Sequence, residues 1–248
     1  MKNRLQPLKI IFGTLFLLAV LSVQSIHAKN IKAGNWQLNF DNRTGDVTLS
    51  QRSKTIADGL YATYLWDGST VSARDYTMHS LKSRKFVDDF GKGILCTIEH
   101  TQTSLPTLIQ YFYLYPDKDY VLTEFTLQNA DGRLVSTNRM APVNVDVIPA
   151  DLLPVGDSRV LFMPFDNDKW IRYQSHPLAV DSLRSYEATA IFNNDSRNGL
   201  IIGSVEHDNW KTAIDINQVS SSNNRGALVC YGGVADELTR DVKSHGTL

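Results

Sequence analysis

Cysteine is nearly absent: Cys96 and Cys230 are the only two in 248 residues. Two cysteines build no disulfide scaffold, although a secreted chain would permit one bridge. Both lie in apolar, strand-like surroundings, at residues 94–96 and 228–230. That setting predicts buried free thiols, because cysteine packs as a small hydrophobe. A metal site built on them would need histidines at ligand spacing, and none are so placed. Excess charge is lacking too, with a net charge of -1 and no basic run interleaved with aromatics. This argues against nucleic acid as a partner. There is no Gly-rich phosphate loop, no Gly-x-Ser-x-Gly elbow and no His-Glu-x-x-His. Nothing in the sequence requires a cofactor or a metal. No segment keeps a helical hydrophobic period over three turns.

Long apolar runs are missing except at residues 10–23. Lys2, Arg4 and Lys9 precede that run, and Ser25-Ile26-His27-Ala28 follows it. The order of charge, apolar core and small residue is that of a secretory signal. The core is short of the roughly 20 apolar residues that a comfortable span needs. The expectation is a signal peptide over 1–28, one mature domain over 29–248, and a secreted or periplasmic protein with no membrane contact after cleavage. Ile26 is bulky for its place before the cut, so an uncleaved anchor is the alternative. No cysteine stands near the end of the run to accept a lipid.

What remains is strand after strand. Residues 36–40 and 47–49 alternate apolar and polar about a turn cluster at 41–46, which predicts a hairpin. Residues 56–66 read as a longer strand with a bulge at Gly59. Residues 71–86 start at period two and then lose it. Strands are expected over 93–100, 107–115 and 120–128, the last two forming the strongest hairpin signal in the chain. Weaker strands are read at 134–138 and 143–147. Further strands follow at 160–163, 186–192, 199–205, 210–216 and 227–231, with 199–205 read as buried. Turn signals recur about every 8–12 residues, the spacing of a sandwich or barrel. The expected fold is one large, all-β, antiparallel domain with Leu114, Phe125, Ile201 and Val229 in its core.

One stretch breaks the pattern. An apolar strand runs into Pro164, and then Asp166, Asn167 and Asp168 stand in a row with Trp170 two residues on. Short carboxylate and amide side chains bond sugar hydroxyls, and an indole face covers the C–H face of a pyranose. The same residues also make an ordinary turn, because Asp and Asn bond their own backbone. Asp166 and Asp168 are poor candidates for the two carboxylates of a glycosidase. Side chains two apart on one turn rarely face each other across a sugar ring. Asp-x-Asp opens a calcium loop as well, but the remaining ligands are absent. Glu206-His207-Asp208 is a compact titratable trio at a strand end, readable as a proton-transfer group or as a solvated turn.

Four stretches together resemble one family: Gln110-Tyr111-Phe112-Tyr113-Leu114-Tyr115, Pro116-Asp117-Lys118-Asp119-Tyr120-Val121-Leu122, Pro164-Phe165-Asp166-Asn167-Asp168-Lys169-Trp170, and Gly199 through His207. The chain is similar over residues 31–248 to the amino-terminal β-supersandwich of alpha-galactosidase and raffinose-synthase-like glycoside hydrolases, the family 36 type. The resemblance implies a galactose-mutarotase-like sandwich preceding a (β/α)8 barrel that carries both catalytic Asp residues. None of the barrel's motifs occurs here, so no catalytic residue carries over. What the resemblance does transfer is a loop, Asp166, Asn167, Asp168 and Trp170, able to lean over a sugar pocket. It implies a galactoside-type carbohydrate and a missing or separate catalytic barrel as partners. Two rival readings remain from the residues themselves. One is a free-standing carbohydrate-binding sandwich. The other is a mutarotase-like epimerase using Glu206 and His207.

Overall fold

The computed structural model describes residues 28–129, 137–149, 156–165, 172–179, 181–206, 210–217 and 226–233. Among them the regular elements are 17 strands and one short 3-10 turn, Ala73–Asp75. The strands, in chain order, are β1 (Ala28–Ala33), β2 (Trp36–Asp41), β3 (Val47–Gln51), β4 (Lys54–Trp66), β5 (Ser69–Ser72), β6 (Met78–Asp88), β7 (Gly91–Thr101), β8 (Thr107–Leu114) and β9 (Val121–Gln128). They continue with β10 (Met140–Val145), β11 (Ser158–Phe162), β12 (Gln174–Pro177), β13 (Ser182–Tyr186), β14 (Ala188–Asn193), β15 (Gly199–Gly203), β16 (Thr212–Asn217) and β17 (Ala227–Gly232). The expectation of an all-β, antiparallel sandwich holds.

Nine strands make one large sheet, in the order β1-β2-β3-β4-β10-β17-β16-β13, with β5 added beside β4. Two four-stranded sheets, β6-β7-β8-β9 and β12-β11-β14-β15, complete the fold. The apolar face of the large sheet is shared between them. Leu38, Phe40 and Val47 pack with Ile98, Phe112 and Leu114 of one small sheet. Ile214, Ile216 and Leu228 pack with Val160 and Ile191 of the other. Each such side chain, once buried, contributes about 1.5–3 kcal/mol of transfer free energy.

Strand β4 joins the two halves, and a bulge lets it do so. Val47 faces Leu60 while Leu49 faces Ala57, so β4 holds one residue more than β3 over the same step. The extra residue falls beside Gly59, at φ 64, as the sequence predicts. Only glycine takes that dihedral without steric cost. Up to Leu60 β4 pairs with β3; beyond it, Tyr61, Thr63 and Tyr64 pair with β10.

Three expectations need correction. Ile201 is 80% exposed, not core. Its strand β15 ends a sheet, with Leu200 and Ile202 half-buried and Ile201 facing outward. An apolar triplet reads as buried on both faces, but an edge strand over a single core has only one such face. Val229 is half-buried, on the opposite side of β17 from Leu228 and Cys230. The strand expected at 186–192 is two strands, β13 and β14, broken at Glu187. Leu114 and Phe125 are buried as expected, and both cysteines are buried and free. Residues 134–136 of the weak strand read at 134–138 lie outside the described residues, and residues 137 and 138 are not strand.

Candidate functional site

The end of β11 is pinned before it opens into the Asp-Asn-Asp stretch. The Ser185 hydroxyl donates to the Leu161 carbonyl at 2.9 Å, and Thr189 donates to the same oxygen at 2.7 Å. The Met163 N–H donates to Ser185 Oγ, and the Tyr186 N–H donates to the Met163 carbonyl at 3.0 Å. Pro164 then ends the ladder, since it has no N–H to give. Phe165 turns its ring edge-on to Tyr186, centroids 5.0 Å apart at 85°. Lys211 Nζ lies 4.8 Å from the Phe165 centroid and bridges to Glu187 at 3.1 Å.

Glu187 is the junction of this end. It holds φ 64, a left-handed value uncommon outside glycine. Its N–H donates to the Thr212 carbonyl in the large sheet, and its carbonyl accepts from the Ser204 N–H just past β15. One residue thus ties the large sheet to a small one. Beyond Ser204, its hydroxyl donates to the Glu206 carbonyl at 2.6 Å. Trp210 packs over Gly232 and Gly233; a Cβ on Gly233 would stand 1.9 Å from the indole Cζ3.

Beside this junction, on β17, lies a stacked polar group. Arg139 sits 3.9 Å over the buried Tyr231 ring, and Arg184 lies 5.9 Å from the same centroid. Arg184 is held by Asp215 at 2.7 and 3.1 Å, across the β13–β16 pairing. Burial, and then the Asp215 charge, push the Tyr231 hydroxyl up to about 12. It therefore stays a neutral hydrogen-bonding group at physiological pH.

Asp166, Asn167, Asp168 and Trp170 lie outside the described residues, as do His207 and Asp208. Their anchors do not. The first loop leaves from Phe165, the second runs between Glu206 and Trp210, and Lys211 contacts Phe165. The two stretches singled out from sequence therefore spring from one end of the sandwich, next to Glu187. Sequence reading missed Glu187, Lys211, Arg139 and Tyr231. Their proximity follows from strand pairing, and no local spacing marks it. Among the described residues no group of three or more His, Cys, Asp or Glu is placed to hold a metal ion, and no helix is long and apolar enough to cross a membrane.

No family model matches this sequence, and no curated protein sequence matches it significantly. The architecture does recur in solved structures, inside a glycosidase. The chain is similar to the alpha-N-acetylgalactosaminidase NagBb from Bifidobacterium bifidum in its GalNAc complex, with a TM-score of 0.55 and 12% identity. That match covers 84% of this chain and 34% of the enzyme. The same enzyme with Gal-NHAc-DNJ gives a TM-score of 0.54 at 13% identity, and its ligand-free form gives 0.53 at 12%. At such identities the likeness is one of fold. This chain spans about a third of the length of the structures it matches.

Proposed function

We propose that this chain is the sandwich portion of a secreted, alpha-galactosidase-like glycoside hydrolase, itself non-catalytic. In this reading Asp166, Asn167, Asp168 and Trp170 form one lip of a sugar pocket, and a separate (β/α)8 barrel supplies the acid and the nucleophile. The observation that carries the reading is the match of 84% of this chain to 34% of a much longer glycosidase. The shoulder that Phe165 forms with Tyr186 and Lys211, immediately before the Asp-Asn-Asp stretch in the chain, supports it further. An aromatic and cationic shoulder of this kind suits the C–H faces and hydroxyls of a sugar. The substrate class, by the same reasoning, is an alpha-linked galactoside or N-acetylgalactosaminide.

The test is hydrolysis. Purified chain is incubated with chromogenic alpha-galactoside and alpha-N-acetylgalactosaminide. No turnover is expected, because a glycosidase needs a second carboxylate across the scissile bond. Turnover that Asp166→Asn abolishes would overturn the non-catalytic reading and make the Asp166/Asp168 pair catalytic.

A further inference from the structure

A polar cluster lies in the apolar layer between β6–β7 and the large sheet. His79 on β6 stands directly opposite His100 on β7 in the strand register. Their Nδ1 atoms are 2.8 Å apart, so one proton lies between them. His100 Nε2 meets Gln110 Oε1 at 2.9 Å. That contact takes the Nε2 proton of His100 and leaves its Nδ1 as the acceptor from His79. His100 and Gln110 are fully buried. Gln110 Nε2 is buried with no partner, so His100 alone holds this amide. The turn at 41–46 lies directly on the two rings: a Cβ on Gly45 would come within 2.7 Å of His79 Nδ1 and 3.0 Å of His100.

Protonation works against this chain of contacts at either ring. A proton on His100 Nδ1 would set two N–H groups against each other at a hydrogen-bond distance. A proton on the other nitrogen of His79 would bury a cation by half. Burial first, then the neighbouring His79, hold His100 down to about 4. His79 is also held below its ordinary value by burial, against the pull of the Tyr76 carbonyl and the Asp46 and Asp41 carboxylates. The groups facing the pair are thus Asp41 and Asp46 from the turn, Gln110 from β8, and Tyr76, whose ring centroid is 6.0 Å from that of His100. Asp46 is itself engaged by Arg74.

Beyond its backbone pairing with β7 and a Lys29 Nζ bond to the Leu81 carbonyl at 3.1 Å, strand β6 has few side-chain contacts to hold this end. It lies at the edge of its sheet, and Leu81 is its one buried side chain. We propose that the His79–His100 contact is an acid-released clasp, whose protonation frees residues 78–81 of β6 from β7 and loosens the turn at 41–46. The sign follows from linkage. Opened histidines titrate near 6.5, while the closed pair resists protons. The open form therefore binds more protons, and closure weakens as pH falls below that value.

Amide hydrogen exchange of the intact chain, with ring titration by NMR on the same sample, tests this. After correction for intrinsic rates, protection at residues 79–81 and 98–100 should fall at least about 30-fold between about pH 7.5 and about pH 5. The β9 amides, on the far edge of the same sheet, should keep theirs. Equal β6 protection at both pH values would overturn the proposal, as would loss in step with β9. So would either ring titrating near 6.5 while β6 stays protected.

Discussion

Arg74 grips Asp46 at two points, Nε to Oδ1 at 2.6 Å and Nη2 to Oδ2 at 3.2 Å. The same guanidinium donates to Asp146 at 2.7 Å and to the Gly59 carbonyl at 3.0 Å, and lies 3.7 Å over the Tyr61 ring. One side chain thereby ties the 3-10 turn, the start of β3, the β4 bulge and the end of β10.

Replacing it should be costly for a surface residue. Arg74→Met should lower stability by about 1–3 kcal/mol in urea melts at neutral pH. The lower half of that range is expected, because Asp146 is more than half exposed. Burial works against the Asp146 charge, but hydrogen bonds from Arg74 and Tyr61 prevail and hold its carboxyl below the usual range. Its contribution is therefore present above the unfolded value of about 3.9 and is lost as pH falls through the folded one. The gap between wild type and variant should shrink in acid. An unchanged gap at about pH 3 would show that the clamp is not electrostatic.

Phe125 and Ile201 should part company on truncation. Phe125 is buried with Tyr64, Tyr76 and Leu108, and Phe125→Ala should cost about 3–5 kcal/mol. Ile201 faces outward, so Ile201→Ser should stay within about 0.5 kcal/mol of wild type. Denaturant midpoints of the two variants decide this, and a large loss at Ile201 would mean that its face of β15 is covered.

The contrast marks what was legible in the sequence. The hairpins β2–β3 and β8–β9 and the Gly59 bulge could be read, because one buried face imposes strict alternation and a positive φ favours glycine. The edge strands β6 and β12 could not, since neither has a continuous buried face to pattern it. The break between β13 and β14 was hidden because Glu187, not glycine, takes the left-handed dihedral. At the candidate site the loop stood out by composition. Its shoulder did not, since Phe165, Glu187, Lys211 and Tyr231 come together only through sheet pairing. The His79–His100 contact was illegible for the same reason: it needs the β6–β7 register, and the period-two signal of residues 71–86 fades within β6.

The two thiols should be inert in the native protein. Burial pushes Cys96 and Cys230 each up to about 12, with the Glu187 charge adding to the effect at Cys230. An aromatic disulfide reagent at about pH 8 should label neither until denaturant is added, because the thiolate is the reactive species. Labelling of either cysteine at the rate of a free thiol would contradict the packing around β7 or β17.

Export should leave a chain starting near Lys29. The charged, apolar and small-residue order of residues 1–28 motivates this expectation. Mass spectrometry of the secreted or periplasmic product checks it. A mature pool beginning at Met1 would support the uncleaved anchor instead.

The central claim is that residues 166–170 contact sugar as a lip, and Trp170→Ala tests it most directly. A sandwich alone offers one ring and a few hydrogen bonds, each netting about 0.5–1.5 kcal/mol, against several kcal/mol of association entropy. Saturation-transfer NMR with galactose and N-acetylgalactosamine should therefore report binding of about millimolar strength or weaker, lost in the variant. The melting temperature should barely move, because a lip residue is not core. A core tryptophan would behave otherwise, with a loss of about 3–5 kcal/mol and a drop of roughly 10 °C. Such a drop, or sugar binding undiminished by the substitution, would contradict the account.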